Sequence, residues 1–456
     1  AGWEARIVDA MCKEGGTFED IRAEIERFEP DAVMAYDHLP VTGAISTGVV
    51  PAAMKALALA KAHDPRTVTL IGGPFPTFKH EELLEGGLGP VDVVVRGEPE
   101  ETLTELLPRL ASGAPLDAVK GVAFRKGGAT VTTPLRDHVP DLDTLTPAWH
   151  LLDWPLYGYK VEPKGRMAAV LTSRGCMMGC SFCSHRAFWR ADWRARDPRK
   201  VIEEFRLLRD RHQVEFITLI DPYPTKDRPR WEELLDRIIE ANLGVGLLME
   251  TRVEDIVRDE DILHKYKAAG VFHLYLGAEG STEEQLVSLN KGTSVDLNKR
   301  AIDAVRQHDI VTEASFMIGH VTETPRSIDR TIEVAIRMNP DIAVFPVLTP
   351  MPFTPLYEQL KDRVRVHDYS QYNLATPIVE PYDMTLADVK AALGRCYMSF
   401  YAHKLPEVKA LPDGFKRRYM MSAMREMMKG FRHHLGGAAP HEMPASHAAL
   451  ASLAHG

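Results

Sequence analysis

Short apolar runs alternate with amphipathic segments over the first hundred residues of the chain. The apolar runs have the length and the branched residues of buried strands, and the segments between them repeat apolar residues at helical spacing. This alternation favours a parallel, doubly wound sheet, because parallel strands need crossover helices to connect them. The predicted strands are residues 5–9, 31–36, 68–71 and 91–95, and the predicted helices are residues 18–28, 51–62 and 80–85.

A second alternating series begins near residue 167 and contains six strand–helix repeats. Asp197 and Pro198 mark the start of one helix, as an N-cap residue followed by proline at the first helical position. Six such repeats predict a parallel sheet that curls into a partial barrel. The predicted strands are residues 167–172, 215–220, 245–250, 271–276, 312–318 and 342–348.

These patterns predict an α/β chain in four parts. Residues 1–112 are expected to form a doubly wound, Rossmann-like domain, and residues 166–355 a partial (βα)6 barrel. Residues 113–165 are irregular, contain prolines and are hairpin-like around 122–131, so we interpret them as a linker. Residues 356–456 are expected to form a mostly helical extension.

Composition and charge narrow the class of protein. The 456 residues are 45% hydrophobic and 26% charged, which is a soluble globular composition in a chain too long for one core. Asp and Glu number 64 against 55 Lys and Arg, and the net charge of -9 argues against nucleic-acid binding. No apolar run approaches the roughly 18 residues that span a bilayer, and residues 1–19 lack the apolar core of a secretory signal. Five cysteines in so long a chain exclude a disulfide scaffold and predict a cytoplasmic protein.

Three of the five cysteines lie within eight residues, on a glycine-bearing loop after the first strand of the second series. Cys176, Cys180 and Cys183 have C-x3-C-x2-C spacing, which lets three thiolates face one centre. A zinc ion would need a fourth ligand, for which His185 is close in sequence. An iron–sulfur cluster also binds cysteine thiolates, and three of them leave one iron of a 4Fe–4S cluster open. Three buried thiols without a metal are the remaining alternative.

The cysteine spacing, with Phe182 before the third cysteine and a barrel strand before the loop, resembles the radical S-adenosylmethionine (SAM) superfamily. The resemblance implies a 4Fe–4S cluster on Cys176, Cys180 and Cys183, with SAM chelating the open iron. One electron would then cleave SAM to methionine and a 5'-deoxyadenosyl radical that abstracts hydrogen from an unactivated C–H bond. The protein would position this radical and exclude water from it.

The same resemblance implies four SAM contacts at the ends of barrel strands. Asp221 is the implied acceptor for the SAM amino group, and Arg252 is implied to pair with the SAM carboxylate, for which a guanidinium fork is well shaped. Glu279 lies where the superfamily often contacts the ribose, and Gly319 lies where it approaches the adenine. Ordinary loop contacts at the strand ends are the alternative for all four residues.

The N-terminal domain resembles the cobalamin-binding domain that precedes the barrel in one subclass of that superfamily. Cobalamin proteins that ligate cobalt from below carry Asp-x-His-x-x-Gly, and the corresponding run here is Asp9-Ala-Met11-Cys-Lys-Glu14. Met11 replaces the histidine, so the resemblance implies cobalamin without an imidazole ligand from that position. The first strand and helix of the fold would lie before Ala1, so we expect the domain to lack its first strand. The residues assigned to cobalamin are Asp9, Met11, Leu39, Gly72, Gly73, Gly97 and Glu98.

Over about residues 6–404 the chain resembles a narrower family, the anaerobic magnesium-protoporphyrin IX monomethyl ester oxidative cyclases. Besides the cysteine loop, the resemblance rests on Phe188-Trp189-Arg190, Asn290-Lys291, Glu323-Thr-Pro325 and residues 349–356. These enzymes oxidise a propionate side chain with oxygen from water and build the fifth ring of bacteriochlorophyll. Two alternatives stay open. One is a cobalamin-dependent C-methyltransferase acting on a tetrapyrrole or another apolar substrate, and the other is a non-catalytic zinc- or cobalamin-binding regulatory protein.

The implied partners are a small apolar substrate, here a magnesium porphyrin, and a reductant such as ferredoxin or flavodoxin. A planar macrocycle needs apolar walls with a few polar anchors, although aromatic residues in a barrel often belong to the core instead. His185 and His320 are candidate acid–base groups or structural histidines. The basic, Met-rich segment 415–432 is a candidate for peripheral membrane contact or for a substrate cover, unless it packs on the barrel. The candidate wall residues are Phe188, Trp189, Trp193, Phe345, Met351 and Phe353.

Overall fold

Two sheets organise the computed structural model of the chain, which describes residues 2–10, 12, 16–36, 47–85 and 90–435. In the first sheet the strand order is β1-β2-β3-β4-β5, with β1 to β3 parallel and β4 and β5 added as an antiparallel hairpin. Its strands are β1 Ala32–Tyr36, β2 Val68–Gly72, β3 Val93–Val95, β4 Val122–Lys126 and β5 Ala129–Thr132. Its helices are α1 Phe18–Phe28, α2 Val50–His63, α3 Pro74–Phe78, α4 His80–Leu84 and α5 Pro99–Ser112.

Helices cover both faces of the first sheet, because successive strand residues point to opposite sides. Ile71 and Val94 pack with α2 in one apolar cluster, while Leu70 and Val93 pack with Leu106 of α5 in another. The sheet is therefore the middle layer of a doubly wound domain, as the alternating pattern predicts.

Two predictions for this region are wrong. Residues 5–9 form no strand, and Ile7 and Val8 are 50% and 45% exposed, since no neighbouring strand in the described residues pairs with them. Residues 122–132, predicted as part of a linker, instead extend the first sheet. The apolar Val122–Phe124 stretch lies antiparallel to β3, with Val93 opposite Phe124. This pairing buries all three residues of that stretch, which explains why the hairpin joins the sheet.

The second sheet holds six parallel strands that are neighbours in chain order, with a short antiparallel strand at one edge. Within the described residues its first and last strands do not pair, so the sheet is a curled, partial barrel, and this prediction is confirmed. Its strands are β6 Gly158–Tyr159, β7 Gly165–Val170, β10 Phe216–Leu219, β11 Gly246–Thr251, β12 Val271–Glu279, β13 Val311–Phe316 and β14 Ile342–Val344, and a separate hairpin is formed by β8 Ser173–Gly175 and β9 Trp193–Ala195. The helices are α6 His185–Phe188, α7 Pro198–His212, α8 Arg228–Ala241, α9 Val253–Arg258, α10 Leu263–Ala268, α11 Glu283–Ser288, α12 Val295–Gln307, α13 Pro325–Met338, α14 Pro355–Leu360, α15 Leu386–Ala410 and α16 Phe415–Leu435.

The two faces of the barrel sheet differ in burial. In β11 the residues Leu247 and Met249 are buried in the core formed with the surrounding helices. Leu248 and Glu250, which alternate with them, are only half-buried and face the concave side. The concave face of this strand is therefore less completely buried than its convex face.

The C-terminal extension packs on the barrel. Tyr419, Met420, Met424 and Met428 of α16 are buried in the barrel core, so the methionines of this helix serve packing. Among the described residues, no helix combines the length and the apolar composition needed to cross a membrane. Peripheral membrane contact by this segment stays a prediction.

Candidate functional site

The cysteine loop follows the first barrel strand through the β8–β9 hairpin. Gly175 ends β8 with φ +101°, and a Cβ there would lie 2.1 Å from the backbone oxygen of Asp192. Only glycine allows this close approach, which brings the chain out of the hairpin directly into Cys176. The thiols of Cys176, Cys180 and Cys183 are all free of disulfides, and Cys180 is buried.

A second loop, residues 289–292, holds the cysteine loop in place. The side-chain amide of Asn290 donates to the carbonyl of Gly179 at 2.7 Å, and the backbone N–H of Ser181 donates to the carbonyl of Leu289 at 2.9 Å. A Cβ on Gly179 would lie 2.8 Å from the Asn290 amide nitrogen, so this contact needs glycine. From the sequence Asn290 is part of a motif without a predicted role, and its bond to Gly179 appears only in the structure.

Two cations lie beside the cysteines. Arg252 Nη1 is 3.9 Å from Cys180 Sγ, and its Nη2 donates to the carbonyl of Lys291 at 2.7 Å. Burial raises the pKa of the Cys176 thiol, and the positive charges of Arg252 and Lys291 oppose this rise. Burial also raises the pKa of Cys183 to about 12, again opposed by Lys291. Positive charge here stabilises thiolates, the form in which cysteine binds a metal.

The three thiols fit a cluster better than a single metal ion. A zinc ion needs its ligands to converge on one point at about 2.3 Å, whereas a 4Fe–4S cluster places each thiolate on a different iron. Among the described residues, no group of three His, Cys, Asp or Glu side chains is arranged to hold one ion. His185, the fourth ligand that zinc would need, is buried at the start of α6 and belongs to no such group among the described residues.

Two of the predicted SAM residues belong to one network with the cations. Glu279 Oε1 lies 3.2 Å from Lys291 Nζ. The backbone oxygen of Lys291 in turn accepts a hydrogen bond from Arg252. The other Glu279 carboxylate oxygen accepts from Ser315 Oγ at 3.0 Å. Gly319, at the end of the next strand, donates its N–H to Glu323 Oε2 at 3.1 Å. Their contacts with SAM stay predictions. Lys291 joins this group although the sequence analysis assigns it no role.

Asp221 has different surroundings from those predicted. It is fully buried, and its Oδ1 accepts from Thr172 Oγ1 at 2.8 Å and from Ser173 Oγ at 2.6 Å. The Thr172 N–H lies 3.0 Å from both carboxylate oxygens. These bonds fix the two residues that lead into the β8–β9 hairpin. The structure therefore gives Asp221 a positioning role at the base of the cysteine loop, and its predicted bond to the SAM amino group stays a prediction.

A row of ionisable side chains crosses the concave face of the barrel. The strand register places Glu250 beside Tyr275 and Tyr275 beside Glu313. Below the row, His273 Nε2 lies 2.9 Å from Glu313 Oε2. Burial raises the pKa of the Glu250 carboxyl to about 8, and the negative charge of Glu279 adds to this effect while Lys291 opposes it. In the sequence this row is visible as one ionisable residue within each of three successive apolar strands, β11, β12 and β13. The strand register brings these three residues side by side.

Glu250 is expected to make the stability of the protein depend on pH. Its pKa lies above the ordinary value of 4.5, so between about pH 4.5 and 8 the folded state holds a proton that the unfolded state has lost. Stability therefore falls as pH rises through this window. Glu250→Gln cannot titrate and therefore loses this pH dependence. Within the window, the free energy of unfolding of the variant minus that of the parent protein should increase by up to about 1.4 kcal/mol for each pH unit.

Urea denaturation near pH 5 and pH 8 measures this difference. Glu240→Gln, at an exposed position of α8, is the matched control. A Glu250→Gln difference that stays constant between the two pH values, like that of the control, would contradict the assignment of a protonated Glu250.

The carboxyl edge of the first sheet is lined by glycines. Gly73 and Gly97 follow β2 and β3 with φ +113° and +77°, and a Cβ on Gly72 would lie 2.9 Å from Met34 Cε. Such an edge lets a ligand approach the backbone closely, which suits the flat ring of cobalamin. Met11 and Leu39 lie outside the described residues.

The other two residues assigned to cobalamin contact protein groups. Asp9 Oδ2 accepts from Tyr157 OH at 3.3 Å and from Cys12 Sγ at 3.1 Å. Glu98 faces the β8–β9 hairpin and binds Arg174 and Arg194. Their predicted contacts with cobalamin stay predictions, and for Glu98 the structure shows a different set of partners.

Half of the candidate wall residues pack within the protein. Phe345 is buried in the barrel core against Tyr397 and Phe400, which favours the core alternative for this residue. Met351 is buried in an apolar cluster, and Phe353 stacks on Phe78 of the first domain with ring centroids 5.0 Å apart. Both of these residues therefore contribute to internal packing.

The remaining aromatic candidates lie in sequence after the cysteines, up to the start of β9, and the histidine candidate His320 follows β13. Phe188 is buried and packs edge-on against Trp189, with ring centroids 4.8 Å apart. Trp193 Nε1 donates to the carbonyl of Tyr223 at 2.9 Å. Burial lowers the pKa of His320 to about 4, so this histidine is neutral at physiological pH. A substrate contact for any of them stays a prediction.

Two family models match this chain, one over each of its two sheets. The family model described as Radical SAM superfamily matches residues 170–335, and the B12 binding domain model matches residues 1–107. The anaerobic magnesium-protoporphyrin IX monomethyl ester cyclase of Rubrivivax gelatinosus is 35% identical over 431 residues, which are 93% of this chain and 75% of that protein. An uncharacterised methyltransferase of Pyrococcus horikoshii is 28% identical, over 87% of this chain and 84% of that protein.

A solved structure shows the same fold at low identity. It is the radical SAM methyltransferase TsrM from Kitasatospora setae, with cobalamin and a [4Fe-4S] cluster bound. It is 16% identical, with a TM-score of 0.61, and the match covers 76% of this chain and 66% of that chain. This similarity concerns the fold alone.

Proposed function

The chain belongs to the cobalamin-binding radical SAM enzymes, in the family of the anaerobic magnesium-protoporphyrin IX monomethyl ester cyclases, and we propose that it catalyses the oxidative cyclisation of that ester. Its cofactors are a 4Fe–4S cluster, SAM and cobalamin. The proposed reaction closes a ring from a propionate side chain, with an oxygen atom taken from water and with SAM as the oxidant, consumed to methionine and 5'-deoxyadenosine as hydrogen leaves the substrate. The observation that carries the proposal is 35% identity to such a cyclase over 93% of the chain.

The chain's own residues supply binding and orientation. When bound, the cofactors supply a 5'-deoxyadenosyl radical and a cobalt centre for chemistry at an unactivated C–H bond. Cys176, Cys180 and Cys183 would hold the cluster, and Arg252 and Lys291 would offset its negative charge. The helices around the convex side exclude water from the sheet, so the reaction takes place on the concave side.

The row of ionisable side chains on the concave face, Glu250, Tyr275 and Glu313, supports an oxidation that uses water. Addition of water oxygen and loss of C–H hydrogens release protons, and these need acceptors within the site. Glu250 already holds a proton over most of the physiological range, whereas Glu313 presents a carboxylate on this face and His273 lies 2.9 Å from it. We infer that Glu313 and His273 accept the released protons.

The second candidate is a cobalamin-dependent C-methyltransferase on a tetrapyrrole or another apolar substrate. The observation that favours it is the methyltransferase of Pyrococcus horikoshii, which matches 87% of the chain. Both candidates use the same cofactors, so the fate of the SAM methyl group separates them.

The test is an anaerobic reaction with magnesium-protoporphyrin IX monomethyl ester and SAM that carries a deuterated methyl group. Mass spectrometry of the pigment is expected to show ring closure without deuterium. A pigment that gains the deuterated methyl group would overturn the cyclase proposal in favour of the methyltransferase.

We also infer that a low-potential protein of the ferredoxin or flavodoxin class supplies the electron and that the chain acts in the cytoplasm. The small number of cysteines, none of which is in a disulfide in the described residues, supports a reducing compartment.

A further inference from the structure

We propose that Glu98 is a positioning residue that links the glycine-lined edge of the first sheet to the cysteine loop, and so sets the separation between bound cobalamin and the cluster. The inference rests on the cofactors of the family and not on which reaction they serve. It replaces the direct cobalamin contact that the sequence analysis assigns to Glu98.

The carboxylate of Glu98 is buried and fully used by groups outside its own sheet. It is 6% exposed, and its Oε1 accepts from Arg174 Nη1 at 2.8 Å and from Arg194 Nη2 at 3.0 Å. Its Oε2 accepts from Arg194 Nη1 at 3.0 Å and from the N–H of Val139 at 2.8 Å. Burial opposes ionisation, but the hydrogen bonds from both arginines outweigh it and lower the pKa of the Glu98 carboxyl. A buried charge bonded in this way is fixed in one geometry.

On the barrel side, Glu98 binds both strands of the hairpin that carries the cysteine loop. Arg174 in β8 and Arg194 in β9 are cross-strand partners in this hairpin. Arg174 lies two residues before Cys176, and Gly175 between them packs against the backbone of Asp192 without room for a side chain. A displacement of the Glu98 carboxylate would therefore also displace Cys176, because only Arg174 and the tightly packed Gly175 lie between the contact and this cluster ligand.

On the other side, hydrogen bonds lead from Glu98 to the glycine edge. The N–H of Gly97, next to Glu98, donates to Thr77 Oγ1 at 2.9 Å. Thr77 Oγ1 in turn donates to the carbonyl of Gly73 at 2.7 Å. Gly73 and Gly97 follow β2 and β3 of the first sheet, both with positive φ. A continuous series of short contacts thus joins both glycines to Cys176 through Glu98.

The test measures the distance between the two cofactors directly. Relaxation-induced dipolar EPR spectroscopy is applied to the full chain loaded with cob(II)alamin and the reduced cluster, without substrate. We expect one narrow distance distribution in the parent protein and a broader or longer one in Glu98→Gln, because the amide removes the charge and one acceptor oxygen. Glu101→Gln, one helical turn further along α5 with an exposed side chain, is the matched control and should leave the distribution unchanged.

Arg174→Gln should broaden the distribution as Glu98→Gln does, because it removes one of the two hairpin arginines that hold the Glu98 carboxylate. Iron and cobalamin contents are measured on each sample. If Glu98→Gln loads poorly, Glu98→Asp, which keeps the charge but shortens the side chain, is expected to load and to lengthen the distance. A distribution identical to that of the parent protein in any loaded Glu98 variant would overturn the proposal. Because no substrate is present, failure here is distinguishable from failure of the cyclase proposal.

Discussion

Cys180→Ala is expected to remove the cluster and the cleavage of SAM together. Cys180 is the buried member of the three cysteines and the one that Arg252 Nη1 approaches at 3.9 Å. With two thiolates left, a second iron loses its protein ligand. Changing an outer partner of a metal ligand already costs about 10–100-fold in affinity or activity, so loss of a ligand should exceed about 100-fold. Bound iron and sulfide, the visible absorption of the cluster, and 5'-deoxyadenosine after reduction measure this loss.

The matched control for this prediction is Cys396→Ala. Cys396 is also buried, but it lies in α15 within the barrel core, far in sequence from the cysteine loop. Its replacement should leave iron, sulfide and 5'-deoxyadenosine at the level of the parent protein. Retention of the cluster spectrum and of SAM cleavage in Cys180→Ala would contradict the ligand assignment.

Gly175→Ala is expected to have the second largest effect, although it leaves every proposed ligand in place. The new Cβ would lie 2.1 Å from Asp192 O, and contacts under 3.0 Å are essentially never found. The positive φ adds backbone strain of roughly 1–3 kcal/mol. Strand β8 must therefore separate from β9, which displaces Cys176. We expect lower stability in urea and a loss of most of the bound iron.

Gly128→Ala separates strain from steric clash. Gly128 in the β4–β5 turn also has a positive φ, +87°, but nothing lies within 4 Å of a Cβ there. This variant should lose stability through strain alone and keep its cluster. Equal iron content in the two variants would show that the packing of β8 on β9 does not position the cysteines.

The barrel could be predicted from sequence because its strands are local patterns. Each run from 167–172 to 342–348 is an apolar strand followed by an amphipathic helix, and the structure places a strand in every one. The glycines and flanking prolines of the hairpin at 122–132 resemble irregular chain, so the sequence predicts a linker there. What decides its place is the antiparallel pairing of Val93 with Phe124, a contact between residues distant in sequence.

In the candidate site, too, contacts between residues distant in sequence could not be predicted from local patterns. The spacing of the cysteines predicts their common loop, whereas the loop that holds it, Leu289 to Lys291, lies more than a hundred residues away. The resemblance to cobalamin-binding domains assigns Glu98, at a strand end of the first sheet, to cobalamin. In the structure Glu98 binds Arg174 and Arg194, which belong to the other half of the chain, and no local pattern reports a contact between two domains.

The central proposal is that ring closure occurs with oxygen from water. The most direct measurement is an anaerobic reaction of the loaded enzyme with magnesium-protoporphyrin IX monomethyl ester in water enriched in oxygen-18, followed by mass spectrometry of the pigment. The proposal predicts a closed ring whose new keto oxygen carries the heavy isotope. A pigment that forms under these conditions without heavy oxygen, or that gains only a methyl group, would contradict it.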